Sequence, residues 1–295
     1  MKYQILAGSW ENLQYIEGNA LMENIILITG GVGGIGTAMC HELAARGYNL
    51  YLVDRRADEA GLAEAISARY GVQTCFRQCD LSDAAQRGAM LADFASQGLR
   101  FSGLINVAGR DFEGAFLEKS REQMLFLIRI LVETPVDLAR GLLELRDHSR
   151  RFLLINISSL AAFFPMPYKA TYAAAKRFIL DHSRALHSEL KDFADVLVIC
   201  PAGLPTTAES RRKMAAQGFW GKLTAQQTET VVRRAVALAL KGKAVYVPGV
   251  ISQFLAWLGQ VIPPGFVTLF VGRRWRAAQA RVAAAHATEN PLSRD

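Results

Sequence analysis

The chain has 295 residues, 51% of them hydrophobic, with 34 Lys/Arg against 27 Asp/Glu and a formal net charge of +7. That length is ample for one large domain with its own core. The basic residues are spread along the chain rather than gathered into arms, which argues against nucleic-acid binding. The mean hydropathy of +0.13 falls short of an integral membrane protein. The four cysteines (Cys40, Cys75, Cys79, Cys200) have neither CxxC pairing nor metal-ligand spacing, and they read as reduced thiols of a cytoplasmic protein. The histidines show no ligand spacing either, so no metal is expected.

Residues Met1–Glu23 hold no sustained apolar core before a cleavage-like site and do not read as a secretory signal. Met22 stands three residues before the first strand, so residues 1–23 are expected to be an N-terminal extension or the product of an upstream start codon. Ile25–Ile28 is a short apolar run with β-branched residues, the pattern of a strand buried on both faces. It runs into Gly30, Gly31, Gly33, Gly34 and Gly36, and Ile35–Ala45 then shows helical spacing. Strand, glycine turn and helix in that order make a phosphate site, because the backbone can approach closely and the helix N-terminus offers free N–H groups.

Tyr48–Asp54 is a second strand ending in an acid, 18 residues past Gly36. At about that spacing a carboxylate accepts the ribose hydroxyls of an adenine dinucleotide. Arg55 and Arg56 follow and could hold a 2′-phosphate, but the glycine loop has no basic residue and Asp54 would repel that phosphate. NAD(H) is therefore favoured over NADP(H).

A helix near Glu59–Tyr70, a strand near Val72–Cys79 and a helix near Asp83–Gln97 come next, then a strand at Gly103–Val107. The βα alternation with short turns predicts an α/β fold: a doubly wound parallel sheet of about seven strands with helices on both faces. A long apolar helix is expected over Lys119–Leu145, kinked or broken at Pro135. Arg151–Ile157 is a strand ending at Ser158-Ser159, and an aromatic loop (Phe163, Phe164, Met166, Tyr168) leads to a helix from Tyr172 to about Leu190. Asp195–Cys200 is a sixth strand. Glu209–Leu223 reads as a loop or lid, Thr224–Lys241 as a helix and Ala244–Val247 as the last strand.

Ser159, Tyr172 and Lys176 carry the chemistry. Tyr172 and Lys176 are four apart and project from one helix face. A free tyrosine, with a pKa of about 10, is a poor acid or base at neutral pH, and a nearby ammonium would bring it towards the working range. A serine 13 residues upstream, past a strand, could bond the same substrate oxygen. The set suits proton exchange with a carbonyl or alcohol oxygen while hydride moves at a nicotinamide.

From about Asn24 to Gly249 the sequence resembles the short-chain dehydrogenases/reductases. The TGxxxGxG motif of that family is present as Thr29–Gly36, its adenine-side Asp as Asp80, and its NNAG segment as Asn106-Val107-Ala108-Gly109. Its serine, tyrosine and lysine map onto Ser159, Tyr172 and Lys176, and the segment that closes on the nicotinamide onto Pro201–Thr206. The resemblance implies a cofactor site formed by Thr29, Gly30, Gly34, Ile35, Gly36, Asp54, Arg55, Asp80, Leu81, Asn106, Ala108, Gly109, Tyr172, Lys176, Pro201, Gly203 and Thr206. Two departures stand out. Leu131 occupies the place of an asparagine that often anchors a water in the family's proton relay, and Ala202 replaces the glycine of its PG motif.

Ala244–Gly272 contains no charged residue, and Arg273, Arg274, Trp275 and Arg276 follow at once. Pro263-Pro264 leaves neither half near the ~20 residues that span a bilayer. Residues 250–295 are expected to form a helical appendage, apolar then basic, that packs on the substrate cleft or a partner subunit, or else contacts a membrane surface. The sequence thus predicts a cytoplasmic NAD(P)-dependent oxidoreductase interconverting a ketone and a secondary alcohol on a hydrophobic molecule, acyl, steroid-like or polyketide-like. By resemblance it is a homodimer or homotetramer. The alternative is a dinucleotide-binding regulatory or scaffold protein with little turnover.

Overall fold

The computed structural model describes residues 23–204, 226–266, 268–269 and 272–273. In chain order the regular elements are β1 (Ile25–Thr29), α1 (Gly34–Ala44), β2 (Asn49–Asp54), α2 (Leu62–Tyr70), β3 (Thr74–Gln78), α3 (Ala84–Ser96), β4 (Phe101–Asn106), α4 (Arg121–Ile128) and α5 (Thr134–Glu144). They continue with β5 (Phe152–Ile157), α6 (Ala170–Glu189), β6 (Ala194–Ile199), α7 (Thr228–Ala239), β7 (Val245–Tyr246) and α8 (Val250–Val261). The lid expected over Glu209–Leu223, Thr206, residues 1–22 of the expected N-terminal extension and the tail from Arg274 on lie outside the described residues.

The seven strands pair in parallel in the order β3-β2-β1-β4-β5-β6-β7, as the βα alternation predicted. Successive side chains of a strand face opposite ways, so each central strand feeds two cores. Ile26, Ile28, Leu50, Leu52, Ile105 and Ile155 pack with α1 and α7 through Met39, Leu43, Val232 and Val236. Ile25, Leu27, Tyr51, Val53, Leu104 and Leu154 pack with α3 to α6 through Phe94, Leu127, Leu138 and Ala175. This two-sided burial is why the strands read as unbroken apolar runs. The order reverses between β1 and β4, and the crevice that such a reversal opens lies at their carboxyl ends.

The long helix is neither broken nor simply kinked at Pro135. Arg129–Glu133 form a single π turn between α4 and α5, closed by the Thr134 N–H donating to the Arg129 carbonyl. Proline has no N–H to give to the carbonyl four residues back, and the wider turn absorbs that gap. A buried cation clamps the turn. The Arg87 guanidinium, 2% exposed, pairs with Glu133 and with Asp137 Oδ2 (2.7 Å) and donates to the Leu81 carbonyl (2.7 Å).

Candidate active site

The turn from β1 into α1 accommodates only glycine at its crossing point. Gly30 has φ +69°, and a Cβ on Gly36 would lie 2.0 Å from the Gly30 carbonyl oxygen. The backbone is thus drawn tight, and the first N–H groups of α1 lack partners inside the helix, as at any helix start. Thr29 is buried. Its Oγ1 accepts from the Val107 and Ala108 N–H groups (3.0 and 3.1 Å), pinning the loop after β4 against the glycine turn.

Asp54, 6% exposed, ends β2 beside this turn. Its carboxylate accepts from the Arg56 backbone N–H (3.0 Å), Nε (3.3 Å) and Nη2 (3.3 Å). The Arg56 guanidinium reaches the mouth of the turn, 3.6 Å from where a Gly33 Cβ would stand. Arg55 is exposed. Asp80 Oδ1 accepts from the Ser82 N–H (2.9 Å) and hydroxyl (2.7 Å), so that carboxylate shapes the turn before α3. Leu81 is buried, its carbonyl engaged by Arg87 and by Thr134 Oγ1. Asn106 donates to Asn156 Oδ1 (2.8 Å), and its own buried Oδ1 has no hydrogen-bond partner among the described residues. Gly109 lets Leu131 approach, since a Cβ there would meet Leu131 Cδ2 at 2.8 Å. Pro201 accepts from the Leu160 N–H (2.8 Å), which ties the loop after β6 to the one after β5, and Gly203 follows it. A glycine cradle with unpaired helix N–H groups and an acid at the end of the neighbouring strand fits a dinucleotide.

Ser159 lies at the β5 exit, where it caps a short 3₁₀ turn by accepting from the Ala161 N–H (3.1 Å). Its hydroxyl lies near enough to the phenol of Tyr172, in the first turn of α6, to lower that group's pKa. Lys176 is buried one turn further on. Its Nζ donates to the Ile157 carbonyl (2.7 Å) and stands 5.7 Å from the centre of the Tyr172 ring. The structure therefore brings Ser159, Tyr172 and Lys176 together.

The electrostatics differ from the simplest expectation. Burial, aided by the negative charge of Asp111, pushes the Tyr172 phenol above its ordinary value, while the Ser159 hydrogen bond and the Lys169 charge oppose this. Burial also brings the Lys176 ammonium down to about 8. Burial thus outweighs the pull of neighbouring cations, and the phenol is held above its ordinary value rather than below it. One cation that pulls the other way is Lys169, which the motifs did not flag. It sits 5.7 Å from the same ring centre and is held by Asp111 (2.7 Å) and Glu113 (2.5 Å). The available signal was positional: Asp111 and Glu113 follow the β4 loop, and Lys169 precedes Tyr172 by three.

Leu131 closes one side of a cavity of about 10 Å³ beside Lys176, which Asn106 and Asn156 also line. A larger open cleft, about 680 Å³, lies between Phe116, Pro167 and Tyr168 on one side and Gly265, Thr268 and Leu269 on the other. Pro167 and Tyr168 lead directly into α6, but none of Ser159, Tyr172 and Lys176 lines the cleft.

Comparison with known proteins decides the family. The short chain dehydrogenase family matches residues 24–217, more than half of the chain. The chain belongs to that family. It is an oxidoreductase that binds NAD(P), built on the parallel sheet described above. Curated relatives include a very-long-chain 3-oxoacyl-CoA reductase of Pyrenophora tritici-repentis, 31% identical over 196 residues, which are 64% of this chain and 58% of that protein. Another of that name from Anas platyrhynchos is 25% identical over 86% of this chain and 81% of its own length. The alignment thus spans under two thirds of the fungal relative. Among solved structures, a short-chain dehydrogenase from Sphingobium yanoikuyae in complex with NADPH is 26% identical and superposes with TM-score 0.67, covering 80% of this chain and 92% of that one. A 7β-hydroxysteroid dehydrogenase, at 23% identity, shares the fold with TM-score 0.72 over 85% of this chain and 99% of its own.

Proposed function

We propose that this dehydrogenase reduces a ketone on a hydrophobic small molecule, with NADH as the favoured cofactor. The observation that carries the reading is the convergence of Ser159, Tyr172 and Lys176 beside the glycine turn. Gly30, Gly34, Ile35 and Gly36 would hold the pyrophosphate, Asp54 the ribose hydroxyls, and Asp80 with the loops at 106–109 and 201–203 the adenine and nicotinamide ends. The cofactor supplies the hydride. Ser159 would orient the carbonyl oxygen and Tyr172 would donate its proton, a role that suits a phenol kept neutral by its surroundings. Lys176, fixed by the Ile157 carbonyl, would hold the nicotinamide ribose and stabilise the phenolate left after transfer.

The relatives named for 3-oxoacyl reduction support a chain carrying a β-ketone, and the apolar rim at Phe116 and Leu269 supports a hydrophobic one. Exposed Ile128 on α4 and Phe178 on α6 support a homo-oligomer through those helices. Leu131, packed where the family often has asparagine, keeps one second reading in play: a dinucleotide-binding protein with little turnover. Following NADH consumption with a panel of apolar β-ketones separates the two. The reductase reading requires turnover that falls roughly 100-fold or more in Tyr172→Phe. Turnover of no ketone, or the same rate in the variant, would refute it.

A further inference from the structure

We infer that α8 and the segment after it form a docking face for an anionic lipid surface. On α8 the exposed residues Val250 (81%), Phe254 (57%), Trp257 (55%) and Val261 (59%) recur at helical spacing and make one stripe. The helix cannot roll to hide it. Its opposite side buries Ser252 and Ala256, and a Cβ on Gly259 would already stand 2.5 Å from the Phe163 carbonyl oxygen. Phe266 and Leu269 carry the exposed apolar surface on to the cleft, whose other rim includes exposed Phe116.

The charge pattern is what favours lipid over a protein partner. The polar side chains on the outer side of α8 are turned back on the chain: Gln253 Nε2 donates to the Val247 carbonyl (3.0 Å) and Gln260 Nε2 to the Ala256 carbonyl (3.1 Å). Each bond takes up one of the two N–H groups of its amide. The charge pattern complements anionic headgroups, because no charge occurs from Ala244 to Gly272, exposed Arg273 comes next, and Arg274, Arg276 and Arg281 follow in the sequence. No described helix is long and apolar enough to cross a membrane, so the helix lies on the surface. Lateral access of an apolar ketone from the bilayer rests on the proposed reductase activity; the docking does not.

The test is sedimentation of the purified full-length protein with phosphatidylcholine vesicles, with or without phosphatidylglycerol, in the absence of substrate and cofactor. The wild type should sediment with the anionic vesicles, less so at high salt. Phe254→Ser and Trp257→Ser should each weaken partitioning roughly tenfold, the value for half-burying one aromatic ring, while leaving the thermal melt unchanged. A wild type that stays in solution with anionic vesicles overturns the inference. So does undiminished sedimentation of the double variant, or a lipid-free dimer that the double variant dissociates, which would assign the stripe to a second copy. None of these readings depends on turnover.

Discussion

Replacing Asp54 tests how the protein reads the adenine ribose. In the structure both carboxylate oxygens are engaged by Arg56, whose side chain is 60% exposed. A pair with one partner that open is worth about 0–1 kcal/mol, so a ribose diol can displace the guanidinium at small cost. Two hydroxyls donating to a buried carboxylate should contribute about 1.5–3 kcal/mol in net terms, or roughly 10- to 150-fold in affinity. Asp54→Ala should therefore weaken NADH by about that factor. It should also tighten NADPH, because the repulsion of the 2′-phosphate goes and Arg56 is freed to meet it. Arg56→Ala should do the opposite: NADH unchanged or up to about fivefold tighter, NADPH about tenfold weaker. Nicotinamide fluorescence titrations of the wild type and both variants give all six dissociation constants. If Asp54→Ala leaves NADH binding unchanged, or the wild type binds NADPH the tighter, then Arg56 rather than Asp54 sets the preference and the reasoning fails.

Other consequences follow from single contacts. Gly36→Ala places a methyl 2.0 Å from the Gly30 carbonyl, so NADH binding should be lost in titration and the melting temperature should fall. Arg87→Ala removes the cation between Glu133, Asp137 and the Leu81 carbonyl; because both carboxylates are partly solvated, a loss of about 1–3 kcal/mol in denaturant unfolding is expected, and less than about 0.5 would show the clamp to be idle. The Lys176 pKa, lowered from 10.5 to about 8, means the folded protein gives up that proton before the unfolded chain does. Stability linked to this group is accordingly lost as pH falls through about 8 and fully present above 10.5, so wild-type stability should rise across that window while Lys176→Met shows a flatter profile.

How much of this was legible beforehand differs by the range of the interaction. The sheet was, because burial on both faces writes itself into each strand as an apolar run, and short βα turns leave little freedom of topology. The glycine turn was legible for a similar reason: Gly36 is dictated by backbone atoms six residues away. The π turn was only half legible. Pro135 announced a disturbance, but its form depends on Arg87, 46 residues from its partner Glu133. The Asp54–Arg56 fork escaped because each residue was weighed against a ligand rather than against the other. The Lys169 cluster escaped because Asp111 lies 58 residues away and meets it only through the fold.

That cluster adds a second cation to the start of α6. Lys176 is the buried cation whose burial lowers its own affinity for a proton, and its Nζ is anchored on a main-chain carbonyl. Lys169 keeps its charge because two carboxylates share it. Around Tyr172 burial is the largest influence, Asp111 adds to it, and Ser159 and Lys169 oppose it. A neutral phenol is an acid without a hydride partner and a poor base. In the reaction proposed above, Tyr172 as proton donor to a ketone would need no prior ionisation. Oxidation would first have to remove that proton, against burial and against Asp111, so its rate should climb with pH over a range where reduction does not.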